Sequence, residues 1–348
     1  MVANKTLVFK KIPTSQPVPG EHLAIEEREI DLAAVPAGGL VVEVLSVSLD
    51  PYLRFRLRDP AEPSIQPAFA VGAAVENDAV ARVLASDDAR FRAGDVVGAP
   101  LPVAQFAAVS AAQLGRVAVL ANPHALPAEY FLGPLGMPGL TAFSSLYEIG
   151  RPRAGETLFV SSAAGAVGSM VGQLAKREGM TVIGSVGSDA KAAFVTRELG
   201  FDAAFNYKRE APAAALARLA PGGIDVYYEN VGGAHLEAAL AHLKTHGRVV
   251  VSGMIQDYNR PLEQRAGVRN LVEFLFKRLS MRGFFVSDPD FGPAYAARHQ
   301  RDVQAWLADG SLRARLHVTT GIDRAAEAFV ELFEGKNFGK AVLRIKEE

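Results

Sequence analysis

The chain contains no cysteine, which excludes disulfides, catalytic thiolates and every cysteine-containing zinc site together. An excess of either charge is also missing: 37 Lys and Arg stand against 38 Asp and Glu, and the basic residues are scattered. With no positive field to attract nucleic acid or an anionic membrane surface, neither partner is expected. No run of about 18 apolar residues marks a membrane span. The start, MVANKTLVFKKIP, has no apolar signal core. These absences point to a cytoplasmic protein. Of seven histidines only His242 and His246 stand at i and i+4, without the Glu of H-E-x-x-H and with Gly247 directly behind, where a helix ends. A histidine favoured by a helix C-terminus is the preferred reading over a metal pair.

At 348 residues, 49% hydrophobic and 22% charged, the composition is that of a globular protein longer than one core usually fills. Two domains are expected. The first 120 or so residues carry short valine-rich and alanine-rich runs broken by Gly and Pro (GLVVEVLSVSLDPYLR, AVARVLA, GDVVGAP), which predicts a β-rich, barrel-like domain. A helix-period segment, LGPLGMPGLTAFSSLYEIG at 132–150, has Pro138 near its start and ends before Gly150, opening a second domain. From 157 the pattern alternates. TLFVS is followed by a helix from Gly165 to Glu178, TVIGSV by one from Ser188 to Leu199, and AAFN by one over 210–219. IDVYYEN precedes a helix over 233–244, and GRVVVSG a helix over about 265–279 and then MRGFFV. Six strand-like runs with helical crossovers predict a parallel, doubly wound sheet. After a polar helix around Trp306, RARLHVTT and AVLRI flank one more helix and return to the first domain, because the six-strand set is already complete.

SSAAGAVGSM, residues 161–170, directly follows the first strand of that set. A dinucleotide turn needs small residues for a tight bend, for close approach to pyrophosphate and for close helix–sheet packing. Ala163, Gly165 and Gly168 supply A-x-G-x-x-G. Small residues recur wherever a helix lies against a sheet, so the position on the first strand-to-helix turn carries the reading. A NAD site usually has an acid at the end of the second strand. Here that strand ends GSVGSDAK: no carboxylate stands at the tip, Lys191 lies in the first helical turn, and Asp189 suits the helix N-terminus. NADP(H) is the expected cofactor.

LGMPGLTAFSSLYEIG, AAGAVGS, GSVGSDAK, FNYK, YYENVGG, SGMIQDYNRP and GKNFGK occur in this order. Together the chain resembles the zinc-free medium-chain dehydrogenase/reductases, in particular the prostaglandin reductase and alkenal double-bond reductase group. The resemblance covers most of the chain and is weakest in the first 40 residues and over 55–80. It implies an α/β protein with a GroES-like β-barrel domain (1–126 and 312–348) and a Rossmann NADP-binding domain (127–311). It implies NADPH-dependent reduction of an activated carbon–carbon double bond, in a homodimer joined through the edge of the Rossmann sheet. Ala163, Gly165, Ala166, Val167 and Gly168 would form the cofactor turn. Lys191 and Tyr207 would meet the 2′-phosphate, and Asn230 would sit near the nicotinamide. Ser252, Gly253 and Tyr258 would line the cofactor edge, Phe284, Phe285 and Val286 would pass the nicotinamide, and Asn337 would reach it from the closing segment.

Hydride attack on the β-carbon of an enal or enone moves charge to the carbonyl oxygen, so such a site needs a donor there. Tyr258, in a loop beyond the fifth strand, is the first candidate, against a tyrosine merely bonded to backbone. Tyr52, in SLDPYLR, is the second, either touching substrate or packing beneath it, with Arg54 positioning that loop. PAEPSIQPAFAVG departs from the family pattern, leaving the substrate open. Phe69, Phe274, Phe284 and Phe285 either wall a pocket or belong to cores. Beside the enal or enone reductase stand two alternatives: a quinone reductase of the same superfamily and a non-catalytic NADPH-binding sensor. The missing cysteines speak against a zinc alcohol dehydrogenase.

Overall fold

The computed structural model describes residues 1–64, 66–265 and 267–346. Ile65 of the divergent 59–72 stretch, Ala266 of the expected 265–279 helix, and Glu347 and Glu348 of the expected 312–348 segment lie outside the described residues. The chain divides into two compact units, Met1–Leu132 with Leu316–Glu348, and Gly133–Arg315.

The first unit opens with β1 (Val2–Phe9) and β2 (Leu23–Ile30), an antiparallel pair, followed by β3 (Leu40–Ser48), β4 (Glu76–Ser86), β5 (Val96–Pro102), β6 (Phe106–Val109) and β7 (Ala118–Val119). The second unit begins with α1 (Met137–Ser145), continued by a wider turn over 146–150. It then alternates β8 (Thr157–Val160), α2 (Ala166–Arg177), β9 (Thr181–Val186), α3 (Asp189–Arg197), β10 (Ala203–Asn206), α4 (Pro212–Leu219) and β11 (Ile224–Glu229). It closes with α5 (Gly233–His242), β12 (Leu243–Val251), α6 (Glu273–Lys277), β13 (Ser280–Gly283) and α7 (Gly292–Ala308). The chain then supplies β14 (Leu316–Thr320), α8 (Ala325–Glu331) and β15 (Lys340–Arg344) to the first unit.

In the first unit the larger sheet runs β14-β15-β3-β4-β5-β7, with β6 also on β3; β14 and β15 pair parallel and the remaining pairs antiparallel. This mixed sheet is GroES-like. One face of β5 is apolar and buried in alternate positions (Val97, Ala99, Leu101), as expected of a strand with one face on a core. The apolar residues of α8 (Ala325, Ala326, Ala328, Phe329) belong to the same core, so the C-terminal segment is part of this unit's interior.

The second unit is a six-stranded, wholly parallel sheet in the order β10-β9-β8-β11-β12-β13. That is the Rossmann order, and its reversal between β8 and β11 marks where a dinucleotide binds, at the carboxyl ends of the strands. Both faces of β8 are covered, so Leu158, Phe159 and Val160 are wholly buried and the strand reads as a continuous apolar run.

Three sequence expectations change. The helix over 265–279 shrinks to α6, preceded by a single tight turn at Leu262–Gln264 and ended by Arg278 in a left-handed conformation (φ 50°). Apolar Leu271, Val272, Leu275 and Phe276 stay exposed, so no core holds a longer helix there. The last strand ends at Gly283, because Phe284 turns to stack on Phe291 and Gly292 donates to the Val286 carbonyl. α5 ends at His242 and β12 begins at once, so His242 and His246 share no helix face; the His242 ring bonds the Ala238 carbonyl.

Candidate cofactor and active site

β8 delivers the chain to a turn over Ser161–Gly165. Its single left-handed residue is Ser162 (φ 53°), so Ala163, at the first position of the fingerprint, bears no such strain. The Ala163 amide donates to the Ser185 carbonyl at the end of β9 (2.9 Å), and the Gly165 amide to Ser162 (2.9 Å). Gly168 must lack a side chain: a Cβ there would come 2.4 Å from the Ser162 carbonyl oxygen. In α2 the Ser169 amide donates back to the Gly165 carbonyl (3.0 Å). The amides of Ala166, Val167 and Gly168 precede it and form the open, positive end of α2. These residues fit a pyrophosphate.

At the tip of β9, Ser188 caps α3 by accepting from the Lys191 amide (3.3 Å). Gly187 lies under the Tyr207 ring, whose hydroxyl would be 3.3 Å from a Cβ placed there, and Tyr207 meets His235 edge-on at 5.3 Å. Burial, and then the charge of neighbouring Lys208, lowers the pKa of the Lys191 ammonium. A half-buried ammonium beside a second cation suits a dianionic group, which fits a 2′-phosphate.

Where β8 and β11 part, a buried carboxylate ties the loops together. Glu229 is wholly buried, and its Oε1 accepts from the Val231 amide (2.6 Å), the Tyr227 hydroxyl (2.7 Å), the Gly232 amide (2.9 Å) and Ser161 Oγ (3.2 Å). Its Oε2 has no partner among the described residues. Burial raises its pKa above the usual carboxylate range, against the bonds it accepts. Ser161 Oγ accepts from the Asn230 amide (2.9 Å), and Asn230 Nδ2 donates to the Ser161 carbonyl (2.8 Å). The Glu229 carbonyl accepts from the amides of Ser252 and Gly253. Asn230, Ser252 and Gly253 are thereby brought together at one point.

Tyr258 follows one turn later. Its hydroxyl accepts from the Met254 amide (3.3 Å), and a Cβ on Gly253 would lie 2.8 Å from that oxygen. The phenol is held over the end of β12 because residue 253 has no side chain. Burial raises its pKa, and Glu229 adds to the shift. Phe284 is fixed by Phe291 at 4.8 Å, and Phe285 is 44% exposed. Phe69 is a core residue of the first unit beneath the Arg56 guanidinium, and Phe274 packs against the core of the second.

Tyr52 and Asn337 belong to the first unit. Asn337 Nδ2 donates to Gly339 (2.9 Å). Asn77 donates through Nδ2 to Ser48 O (2.7 Å) and Asp50 Oδ2 (3.0 Å), which leaves its Oδ1 facing Tyr52. Tyr52 must therefore be the donor in that bond. Lys340 donates to Asp50 Oδ1 and Leu49 O, each at 2.7 Å, with both charged residues buried. Arg54 donates to Pro13 O and Ser15 O, holding the Tyr52 loop.

A family model described as an N-terminal domain of oxidoreductase matches residues 5–117, and one described as zinc-binding dehydrogenase matches 166–299. The chain is similar to the NADP-dependent oxidoreductase RED1 of Cochliobolus heterostrophus, 47% identical over 346 residues, 99% of this chain and 98% of the relative. It is similar to an NADP(+)-dependent 2-alkenal reductase of Nicotiana tabacum, 40% identical over 352 residues, 100% of this chain and 99% of that one. Its fold superposes on CurA of Vibrio vulnificus solved in complex with NADPH (TM-score 0.89, 34% identity, 99% and 100% coverage). The chain belongs to the medium-chain dehydrogenase/reductase family.

Zinc does not fit this medium-chain reductase, despite the description of the second family model. There is no cysteine, and among the described residues no group of three or more His, Asp or Glu could hold a metal ion. Sequence reasoning missed Ser161, Glu229, Ser185 and His235. Ser185 Oγ and His235 Nε2 are 2.7 Å apart, and burial pushes the imidazole down to about 4. YENVGG placed an acid before Asn230, but only the fold shows it to be buried.

Proposed function

We propose that this NADP-dependent oxidoreductase reduces the carbon–carbon double bond of α,β-unsaturated aldehydes and ketones, with Tyr258 polarising the carbonyl. The observation that carries the reading is the Tyr258 hydroxyl, held beside Gly253 at the carboxyl edge of the parallel sheet. Full-length likeness to a 2-alkenal reductase supports it. Bound NADPH supplies the hydride that adds to the β-carbon. The turn at Ala163–Gly168 would hold its pyrophosphate, Lys191 and Tyr207 its 2′-phosphate, and Asn230, Ser252 and Gly253 the nicotinamide half. Phe284, Phe285, Val286 and Asn337 complete the proposed cofactor contacts. Tyr258, its pKa raised by burial, keeps its proton at neutral pH and stabilises the enolate oxygen by hydrogen bonding. Tyr52 donates to Asn77, so toward a substrate its hydroxyl oxygen acts as an acceptor, and we assign it to positioning.

Steady-state oxidation of NADPH and NADH with hex-2-enal, an aryl enone and benzoquinone tests this reading. Enal or enone turnover with NADPH, lowered about 10- to 100-fold by Tyr258→Phe, is expected. Turnover of benzoquinone alone assigns the protein to the quinone reductases, and tight NADPH binding without turnover of any acceptor leaves a binding protein.

We also propose a cytoplasmic homodimer. All four residues of β13, at the edge of the parallel sheet, are exposed, Met281 among them, and Leu271, Val272, Leu275 and Phe276 of the preceding segment are exposed apolar residues as well. An open edge strand is a template for pairing, and light scattering that gives the mass of one chain refutes the dimer. The cytoplasmic assignment rests on the sequence alone; among the described residues no helix is long and apolar enough to cross a membrane.

A further inference from the structure

The tip of β9 carries an acid after all. Asp189 is the first residue of α3, two positions before Lys191 and next to Ser188, which caps the helix. In a dinucleotide fold a carboxylate near this tip favours the 2′-hydroxyl of NAD and repels the 2′-phosphate of NADP.

The neighbouring segment, residues 206–209, occupies both oxygens of that acid. Asn206 Nδ2 donates to Asp189 Oδ1 (2.8 Å), and Arg209 Nη1 pairs with Asp189 Oδ2 (2.6 Å). Asn206 Oδ1 turns the other way and accepts from the Lys208 amide (3.1 Å). One asparagine thus fixes the acid and the loop that presents Tyr207 and Lys208. The Arg209–Asp189 pair is exposed (side chains 75% and 55%), and such pairs add little to folding stability. Its effect falls on the local potential: with the acid neutralised, Lys191 and Lys208 leave the tip positive.

We propose that Asn206 and Arg209 are specificity-determining residues that set the preference for NADP(H) over NAD(H) by drawing Asp189 aside and neutralising it. This rests on the NADP(H) reading above. The charge that would select NAD is retained, and its clamp determines which cofactor is favoured. Repulsion between Asp189 and a 2′-phosphate should therefore reappear when Arg209 is removed, and disappear again when Asp189 loses its charge.

Calorimetric titration of the full chain with NADP+ and with NAD+ tests the clamp without any turnover. Arg209→Ala is expected to weaken NADP+ about fivefold and NAD+ less than twofold. Asn206→Ala should act in the same direction. Adding Asp189→Asn to Arg209→Ala should restore NADP+ affinity, which a loop merely loosened by the first change would not do. The proposal is overturned if Arg209→Ala leaves the NADP+/NAD+ ratio within twofold of wild type, or if Asp189→Asn fails to restore it. A wild-type protein that binds both nucleotides equally overturns the cofactor reading as well, so the two failures are told apart by the first titration.

Discussion

Each unit of the molecule contains a buried carboxylate that gathers strand ends, and the two are stabilised in opposite ways. In the first unit Asp50 is paired with Lys340, and Asn77, Ser48 and Tyr52 complete the set, so both carboxylate oxygens are engaged. In the second unit Glu229 faces no cation among the described residues, and one oxygen carries four bonds while the other has no partner among them. A paired charge can stay ionised in a dry interior, whereas a lone carboxyl is driven toward its neutral form. The first cluster therefore behaves as an ionic clasp between β15 and the loop after β3. The second behaves as a hydrogen-bonding hub whose carboxyl is driven by burial toward the neutral form.

That contrast breaks most sharply at Lys340. Lys340→Met leaves Asp50 buried and unpaired, and is expected to cost about 3–5 kcal/mol in denaturant unfolding. Replacing Asp50 by Asn in the same chain should recover much of the loss, because the uncompensated charge is then gone. A Lys340→Met chain as stable as wild type would show that the clasp holds nothing together.

Glu229 should respond to shape and hydrogen bonding rather than to charge. Glu229→Gln keeps an acceptor at Oε1 and is expected to stay within about 1 kcal/mol of wild type, whereas Glu229→Leu strands several donors at roughly 1–3 kcal/mol each. The Leu variant should also raise KM for NADPH, since the Glu229 side chain holds the Val231 and Gly232 amides and Ser161 Oγ, which in turn accepts from the Asn230 amide. If Gln proves as damaging as Leu, Glu229 is ionised in the folded protein and the contrast between the units fails.

The alternation of β8 to β13 with helices was legible because each strand of a covered parallel sheet is a short apolar run, and the turn at Ala163–Gly168 because small residues there have a mechanical reason. The relatives bear out the family and fold named from the motifs. Polar burial was not legible. Nothing local in LDPY or GKNFGK shows that Asp50 and Lys340 meet, since the contact spans 290 positions. The 265–279 helix was misread for a related reason: Leu271, Val272, Leu275 and Phe276 have helical apolar spacing but no core to face. Asp189 was rightly placed at a helix start, yet its pairing with Asn206 and Arg209 depends on β10 lying beside β9.

The smallest expected effect separates the units by acid. The second unit buries two histidines, His235 bonded to Ser185 and His299 bonded to the Pro134 carbonyl, and burial pushes each down to about 4. An unfolded chain takes up these protons near pH 6.5, before the folded protein does. The stability they contribute is therefore complete above about 6.5 and is lost progressively as pH falls toward 4, at up to about 1.4 kcal/mol per pH unit for each residue. Carboxylates tilt the same curve, so the informative quantity is the difference between chains. Urea midpoints taken at pH 7.5 and 5.5 should fall less in His235→Gln than in wild type. Because Ser185 also takes the Ala163 amide through its carbonyl, bound NADP+ should reduce the wild-type fall if His235 protonation loosens the cofactor turn. Equal slopes in the two chains would mean that His235 takes up its proton as readily in the folded protein as in the unfolded chain, and that burial does not hold its imidazole neutral.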